Sequence, residues 1–407
     1  MPYWAVVDSS SRPHPFLERV LVRNYKSIAA CDVWLKPLNF FVGPNGSGKS
    51  NFLDAINFVA DALSTSLDHA LRIRGGINDV RRRSHGRPNH FAIRLEFNLE
   101  DGTAGHYAFE IGATAGGGFE VREEQCAVRR AALDHAFFKV KRGEVQESSF
   151  GSRPAYSSDR LYLVRLSGEP EFRNLFDALT RMSFYNFNPG AIRDMQPADQ
   201  GQLLRKDGSN VASVFSQIHD KTSVIDYLGA IVPGIENIVV RHLGGKETLE
   251  FAQRIESDGK PLHFLANSMS DGTLRVLAIL VAIFQSEKGF LGNVTLTGLE
   301  EPEIALHPGA AGILFEVLRD ASELRQVLVT SHSPDLLDND QIDPHSLFAV
   351  EFREGASAIA PVDQVGIRAV RESLYTPGEL LRLNQLVPDR ESLQQTRKTI
   401  QEDLFHF

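Results

Sequence analysis

Gly43-Pro44-Asn45-Gly46-Ser47-Gly48-Lys49-Ser50 has the spacing of a phosphate-binding loop: glycine, four residues, then Gly-Lys-Ser. Glycines let successive backbone N–H groups curl around phosphate oxygens, and a helix that starts at the loop adds partial positive charge. On this reading Asn45, Gly46, Ser47, Gly48 and Asn51 cradle phosphates. Lys49 reaches the outer two, and the Ser50 hydroxyl ligates Mg²⁺. The flanks supply the context the motif needs. Leu38-Asn39-Phe40-Phe41-Val42 reads as a strand, and Asn51 to Val59 carries apolar residues at helical spacing.

Three distant segments offer partners for this loop. Asn293 to Glu303 is an apolar strand that ends in paired carboxylates. In that arrangement one carboxylate holds Mg²⁺ and the next polarises an attacking water. Glu300 is assigned to the metal and Glu301 to the water. Aspartate is more usual on the metal side, so the division between the two acids stays open. Gln326 to Pro334 is a buried strand ending in a polar turn with His332. A histidine there can sense the terminal phosphate or steady the water, although a lone histidine at a strand end is commonly structural. The interval before it has room for one helix, Gly312 to Asp320. Finally, Ser270 and Asp271 can cap the apolar helix Val276 to Phe284, and Gly272 permits close backbone approach.

The elements that must position these residues fall into four stretches. Residues 1–145 contain two strands around a turn, Leu17 to Val22 and Val33 to Val42. Beyond the loop and its helix, residues 91–145 alternate in the manner of an antiparallel meander. Residues 146–235 read as a mostly helical insertion, with helical patterns at Glu171 to Met182 and Val211 to Ile218. Residues 236–365 return to alternating strands and helices, as in a parallel sheet, and 366–407 form a charged helical tail. The chain is therefore expected to be α/β with a mixed sheet.

Composition sets limits on function. The 407 residues are 42% hydrophobic and 23% charged, the balance of an ordinary globular protein. A net charge of −9 means any nucleic-acid contact must be a local patch. Arg72, Arg74, Arg81, Arg82, Arg83, Arg87 and Arg94 form one candidate, centred on Arg81 to Arg83. Alternatively, they line a solvated loop or dock an acidic partner. Two distant cysteines, Cys31 and Cys126, fit a reducing cytoplasm. No secretion signal is evident at Met1-Pro2-Tyr3-Trp4. The longest apolar run, Val276 to Phe284, is too short to cross a membrane.

Taken together, the four motifs resemble the ABC-type ATPase heads of the SMC/RecF/RecN-like and OLD-like families. Ser270-Asp271-Gly272-Thr273 stands where those families carry their signature. Asn24-Tyr25-Lys26-Ser27 is similar to the stretch ahead of their phosphate loop, and Leu306-His307-Pro308 follows the carboxylates as in many OLD-like proteins. The resemblance covers about residues 17–145 and 236–350. It implies a P-loop NTPase fold, ATP and Mg²⁺ as cofactors, and two heads that dimerise around two ATP molecules. Ser270 and Gly272 would then face nucleotide held by the other head. No glutamine loop can be placed. The insertion lacks the heptads for SMC or RecN arms, and the stretch after His332 has little room for the fused nuclease of OLD proteins. A stand-alone head of this build resembles ATPase components of anti-phage defence, which implies a separate effector protein, commonly a nuclease. A RecF-type clamp on DNA and an ATP-bound scaffold with little turnover are the alternatives.

Overall fold

Along Leu38–Val42 successive side chains face opposite sides of a sheet. Phe41 joins one apolar core, while Phe40 and Val42 join the other. Gln326–Ser331 repeats the pattern, with Leu328 on the first side and Val327 and Val329 on the second. Such period-two alternation with both faces apolar is what a strand covered by helices on both sides requires. The computed structural model of the chain describes residues 14–84, 88–131, 134–149, 157–255, 259–285 and 294–406.

Thirteen strands of the described residues form one mixed sheet. Its parallel centre runs, in spatial order, Leu347–Arg353, Leu38–Val42, Gln326–Ser331, Leu296–Glu300 and Met182–Tyr185. The hairpin partner of the first of these, Ala356–Pro361, meets Ile28–Trp34 through Ser357 and Ile28. From there the sheet continues antiparallel through Leu17–Tyr25, His90–Asn98, Ala104–Ala113, Phe119–Ala131, Asp134–Lys141 and Glu144–Ser148. The last five of these, from His90 onward, are the expected meander.

The P-loop helix, Lys49–Ser64, covers one face, where the Phe52 and Phe41 rings lie 4.5 Å apart. The other face is covered by the helix Asp271–Phe284, where the sequence reading placed the signature, and by Pro308–Ser322, whose Phe315 stacks on Phe40 at 6.2 Å. Every residue from Val276 to Phe284 is buried, as its apolar run requires. No helix among the described residues is long and apolar enough to cross a membrane. The helix Arg390–Asp403 docks on Ile28–Trp34 and Leu17–Tyr25, where Asp403 lies 3.0 Å from Arg19.

Three sequence expectations change. Val33 to Val42 is two strands, Ile28–Trp34 and Leu38–Val42, because Pro37 lacks the N–H that a continuous ladder needs. Asn39 closes the break by bonding both backbone groups of Lys36 at 2.8 and 2.6 Å. The stretch expected to be mostly helical, 146–235, holds the helices Pro170–Thr180, Val211–Gln217 and Lys221–Ile231, but fewer than half of its described residues are helical and it supplies the core edge strand Met182–Tyr185. Four buried residues are too few to show a period. A separate small antiparallel sheet is built on Lys246–Gln253, which pairs with Ile235–Leu243, Leu262–Leu265 and, from the preceding stretch, Gln196–Pro197.

A buried acid ties the meander to the helical stretch. Glu124 accepts from the Tyr107 hydroxyl at 3.0 Å and from the N–H groups of Tyr162 and Leu163 at 2.5 and 2.9 Å. Burial nevertheless pushes its pKa up, from 4.5 to about 7, against those three bonds. The folded chain holds this proton more tightly than the unfolded chain does. The stability it contributes is therefore complete below about pH 4.5 and is lost as pH rises to about 7. Thermal unfolding across that window is expected to show wild-type losing about 3 kcal/mol that a Glu124→Gln variant keeps. Parallel pH curves for the two proteins would contradict this.

Candidate functional site

The parallel register brings three loops to one edge. Val42 lies opposite Ser331 and Glu300 opposite Thr330, so the segments that follow each strand leave the sheet side by side. Gly48 caps the P-loop helix with a left-handed φ of 107°, and Lys49 is its first residue. Lys49 is 4% exposed. Its ammonium donates to the carbonyls of Gly43 at 2.8 Å and Pro44 at 3.1 Å, and lies 3.7 Å from Glu301 Oε1. Burial lowers its pKa, opposed by the charges of Glu301 and Glu303.

Two serines from far apart in sequence brace the loop. Ser357 Oγ donates to the Ser47 carbonyl at 2.6 Å and lies 2.6 Å from Ser27 Oγ. Asn51 donates to Ser27 at 2.7 Å as part of the same brace. Asn45, Gly46 and Ser50 are exposed at the mouth of the loop. Ser47 is buried, and its hydroxyl has no partner. A Cβ built on Gly46 meets nothing within 4 Å. An open cradle with an unpartnered hydroxyl and a buried ammonium suits a phosphate.

Glu300 ends its strand half-buried. Burial raises its pKa, opposed by a hydrogen bond with the Ser50 hydroxyl and by the charge of Lys206. Asn186, just past the edge strand, donates to Glu300 Oε2 at 3.4 Å. Among the described residues no group of three His, Cys, Asp or Glu could hold a metal alone. Mg²⁺ characteristically takes one or two protein oxygens and fills its shell with phosphates and water, and Ser50 with Glu300 fits that need.

Glu301 has φ of 44°, which is costly for a residue with a Cβ. Its N–H donates to the Thr330 carbonyl at 2.9 Å, and its Oε1 lies 3.2 Å from His332 Nδ1. Glu303 is 8% exposed and accepts from the Ser331 hydroxyl at 2.6 Å and the His332 N–H at 3.3 Å. His307 caps Pro308–Ser322, accepting from Gly309 N–H at 3.1 Å.

Ser270 caps the signature helix, accepting from Thr273 N–H at 3.1 Å, and is otherwise exposed. A Cβ on Gly272 would sit 2.4 Å from the Ala305 carbonyl, so this glycine lets the helix start pack on the segment after Glu301. Lys49, Ser50, Glu300, Glu301 and His332 thus converge, while Ser270 and Gly272 stand on the neighbouring helix. Asn186 and Glu303 are polar members of the site to which the sequence reading gave no role. The only signal for Asn186 was the apolar Met182 to Tyr185 before it.

The arginines disperse. Arg74 is buried against Asp54 and Asp61 at 2.8 and 2.7 Å, and Arg94 pairs with Glu96 at 3.0 Å. Arg81 bonds Asn78 and the Pro88 carbonyl, Arg82 the Gly355 carbonyl, and Arg83 Asp79. Arg87 lies outside the described residues.

A phosphate loop on a parallel core, two carboxylates on the next strand but one, and a serine-capped apolar helix beside them fit an ATPase head of the SMC/RecF/OLD type. The family model described as "AAA domain, putative AbiEii toxin, Type IV TA system" matches residues 38–338, and the chain belongs to that family. It is 30% identical over 148 residues to the DNA replication and repair protein RecF of Aliivibrio fischeri (strain MJ11), covering 31% of this chain and 40% of RecF. It is 23% identical over 336 residues to the OLD nuclease of Thermus scotoductus, covering 78% of this chain and 59% of that protein. The chain thus spans less than two thirds of either relative. A crystal structure of the Smc head bound to the C-winged helix domain of ScpA superposes with a TM-score of 0.53 at 15% identity, covering 85% of this chain and 98% of that one.

The brace on the loop is directly testable. A Cβ at Gly48 would lie 2.0 Å from Ser357 Oγ on a backbone of φ 107°. Gly48→Ala is expected to destabilise the fold by about 1–3 kcal/mol in denaturant unfolding. Adding Ser357→Ala should relieve only the closest clash, because the Ser357 Cβ at 2.8 Å and Ser27 Oγ at 2.9 Å remain. An unchanged midpoint for Gly48→Ala would contradict the brace.

Proposed function

We propose that the chain binds and hydrolyses Mg²⁺–ATP, and that two heads close around the nucleotide as a switch controlling a separate effector. The observation that carries the reading is the meeting at Glu301 Oε1 of Lys49 Nζ at 3.7 Å and His332 Nδ1 at 3.2 Å. Three segments remote in sequence bring a phosphate-binding cation, a base and a histidine to one point.

When bound, ATP supplies the phosphoryl group that passes to water, and Mg²⁺ neutralises charge on its oxygens. Gly46, Ser47, Gly48 and Lys49 bind the phosphates, with Asn45 and Asn51 at their border. Ser50 and Glu300 hold the metal side, and Asn186 helps orient Glu300. Glu301 accepts the proton of the attacking water, and His332 fixes its carboxylate. Lys49 exchanges its carbonyl partners for phosphate, which satisfies a buried ammonium better than neutral acceptors do. Ser270, exposed on a helix N-terminus beside Gly272, meets phosphate bound to the other head.

The effector role draws support from the description of the family and from the similarity to an OLD nuclease. Anti-phage defence in the cytoplasm is the setting that fits this reading. A second reading, a DNA-binding repair head with Arg81, Arg82 and Arg83 on the backbone, draws support from the RecF similarity.

Lys49→Ala is expected to lose tight ATP binding in a fluorescent-nucleotide titration. Glu301→Gln should bind ATP normally and hydrolyse it roughly 10²-fold more slowly. If Glu300→Gln shows that phenotype while Glu301→Gln turns over normally, the two acids exchange roles. Ser270→Arg should leave monomer ATP affinity intact and abolish steady-state hydrolysis. Full turnover in that variant would rule out a site completed by a second head.

A further inference from the structure

Leu347–Arg353 pairs with the strand that ends in the phosphate loop, and its side chains divide between the two cores. Phe348 and Val350 face the P-loop helix, with Phe348 stacked on Phe41 at 5.1 Å, while Leu347 and Ala349 face the other way. Phe352 is next in the row of Phe348 and Val350. Those two are buried, but Phe352 is 55% exposed. The strand brings it to the loop itself. A Cβ on Gly43 would lie 2.0 Å from the carbonyl of Val350, only two residues before Phe352. In the hairpin Phe352 stands opposite Ser357, so the two side chains share a face. Ser357 is the serine that donates to the Ser47 carbonyl and meets Ser27. The ring therefore lies beside the brace at the start of the P-loop helix.

A single exposed apolar side chain is ordinary on a protein surface. What sets Phe352 apart is the frame around it. Arg82 donates to the Gly355 carbonyl at 3.0 Å, and the Ser357 N–H donates to the Ser27 carbonyl at 2.8 Å, which ties down the hairpin tip. The turn at Lys26 and Ser27 is held in the same way. The Lys26 N–H donates to the Val80 carbonyl and the Arg82 N–H to the Asn24 carbonyl, both at 2.7 Å. Three segments remote in sequence thus fix one another at the loop mouth.

The sheet order gives this corner a direction. Gln326–Ser331 and then Leu296–Glu300 lie on one side of Leu38–Val42, and Leu347–Arg353 lies on the other. Glu300 marks the metal-bound, terminal end of a phosphate chain seated on Lys49 and Ser50. The other end of that chain, which carries the nucleoside, leaves toward the hairpin. An exposed ring face there suits a base, because every base has a π-face to stack.

We propose that Phe352 is the stacking platform for the nucleobase, so that the hairpin forms the nucleoside half of the site. The proposal rests on the reading of the loop as an ATP site. It adds the residue by which the chain tells a nucleotide from a bare phosphate chain.

The test is equilibrium binding to the full chain with Mg²⁺, comparing ATP with inorganic tripolyphosphate, which has the phosphates and no base. Phe352→Ala should lower ATP affinity roughly tenfold or more and leave tripolyphosphate affinity within about twofold. Phe352→Tyr, which keeps the ring, should restore ATP affinity, whereas Phe352→Leu, which keeps only apolar bulk, should not. Unchanged ATP affinity in Phe352→Ala, or equal losses for both ligands, would overturn the stacking role. Phe352→Trp adds a direct signal, since ATP should quench its added emission and tripolyphosphate should not. Emission that ATP leaves unmoved, in a variant that still binds ATP, would overturn the proposal as well. A wild-type chain that binds neither ligand, or a Lys49→Ala variant with both affinities unaltered, would instead defeat the phosphate-loop reading itself.

Discussion

The site depends on the register of three parallel strands. Leu38–Val42, Gln326–Ser331 and Leu296–Glu300 pair so that Val42 meets Ser331 and Thr330 meets Glu300. Because side chains alternate along a strand, a slip of one residue would turn Phe41, Leu328 and Leu299 to the wrong face. Both faces are packed with apolar side chains, so such a slip is strongly penalised. The hydrophobic core therefore sets, to within a residue, where Lys49, Glu301 and His332 emerge. A local motif cannot do this alone, since the three lie in separate segments with a meander, a small sheet and helices between them.

On this frame the site is held in an unrelaxed condition. Lys49 is buried among carbonyls, Glu300 and Glu303 are acids made less acidic by burial, and Glu301 sits on a left-handed backbone. Each feature is unfavourable in the isolated chain, and on the proposed reading a phosphate at Lys49 and a divalent cation at Glu300 would offset two of them. Perturbed ionisable groups that cluster at one sheet edge are a mark of function more than of stability. The stabilising work lies elsewhere, in the ring-packed core around Phe41 and Phe52 and in the ion pairs of Asp54 with Lys26 and Arg74 behind the P-loop helix.

Much of this was legible in the sequence, and the failures have physical reasons. The phosphate loop, the Glu-Glu strand end and His332 were readable because each sits at the end of an apolar run whose period declares a strand. The meander was readable for the same reason. Ser27 and Ser357 were not, because a brace made by two hydroxyls that meet only in the fold leaves no local pattern. Met182–Tyr185 was too short to show a period, and Asn186 was missed with it. Counting arginines could not separate Arg74 and Arg94, sunk among acids, from exposed Arg83. Gly272 was expected beside nucleotide, and the fold gives it a further duty, close packing on Ala305.

On the proposed reading, the phosphate loop, Glu300, Glu301 and His332 make one half of a nucleotide site, and Ser270, exposed on a helix end, serves the other head. Light scattering on the Glu301→Gln variant, with Mg²⁺ and either ATP or ADP, measures this most directly. The account predicts twice the 45.2 kDa chain mass with ATP, two nucleotides retained per particle, and monomer with ADP. A mass that is the same with either nucleotide would contradict it.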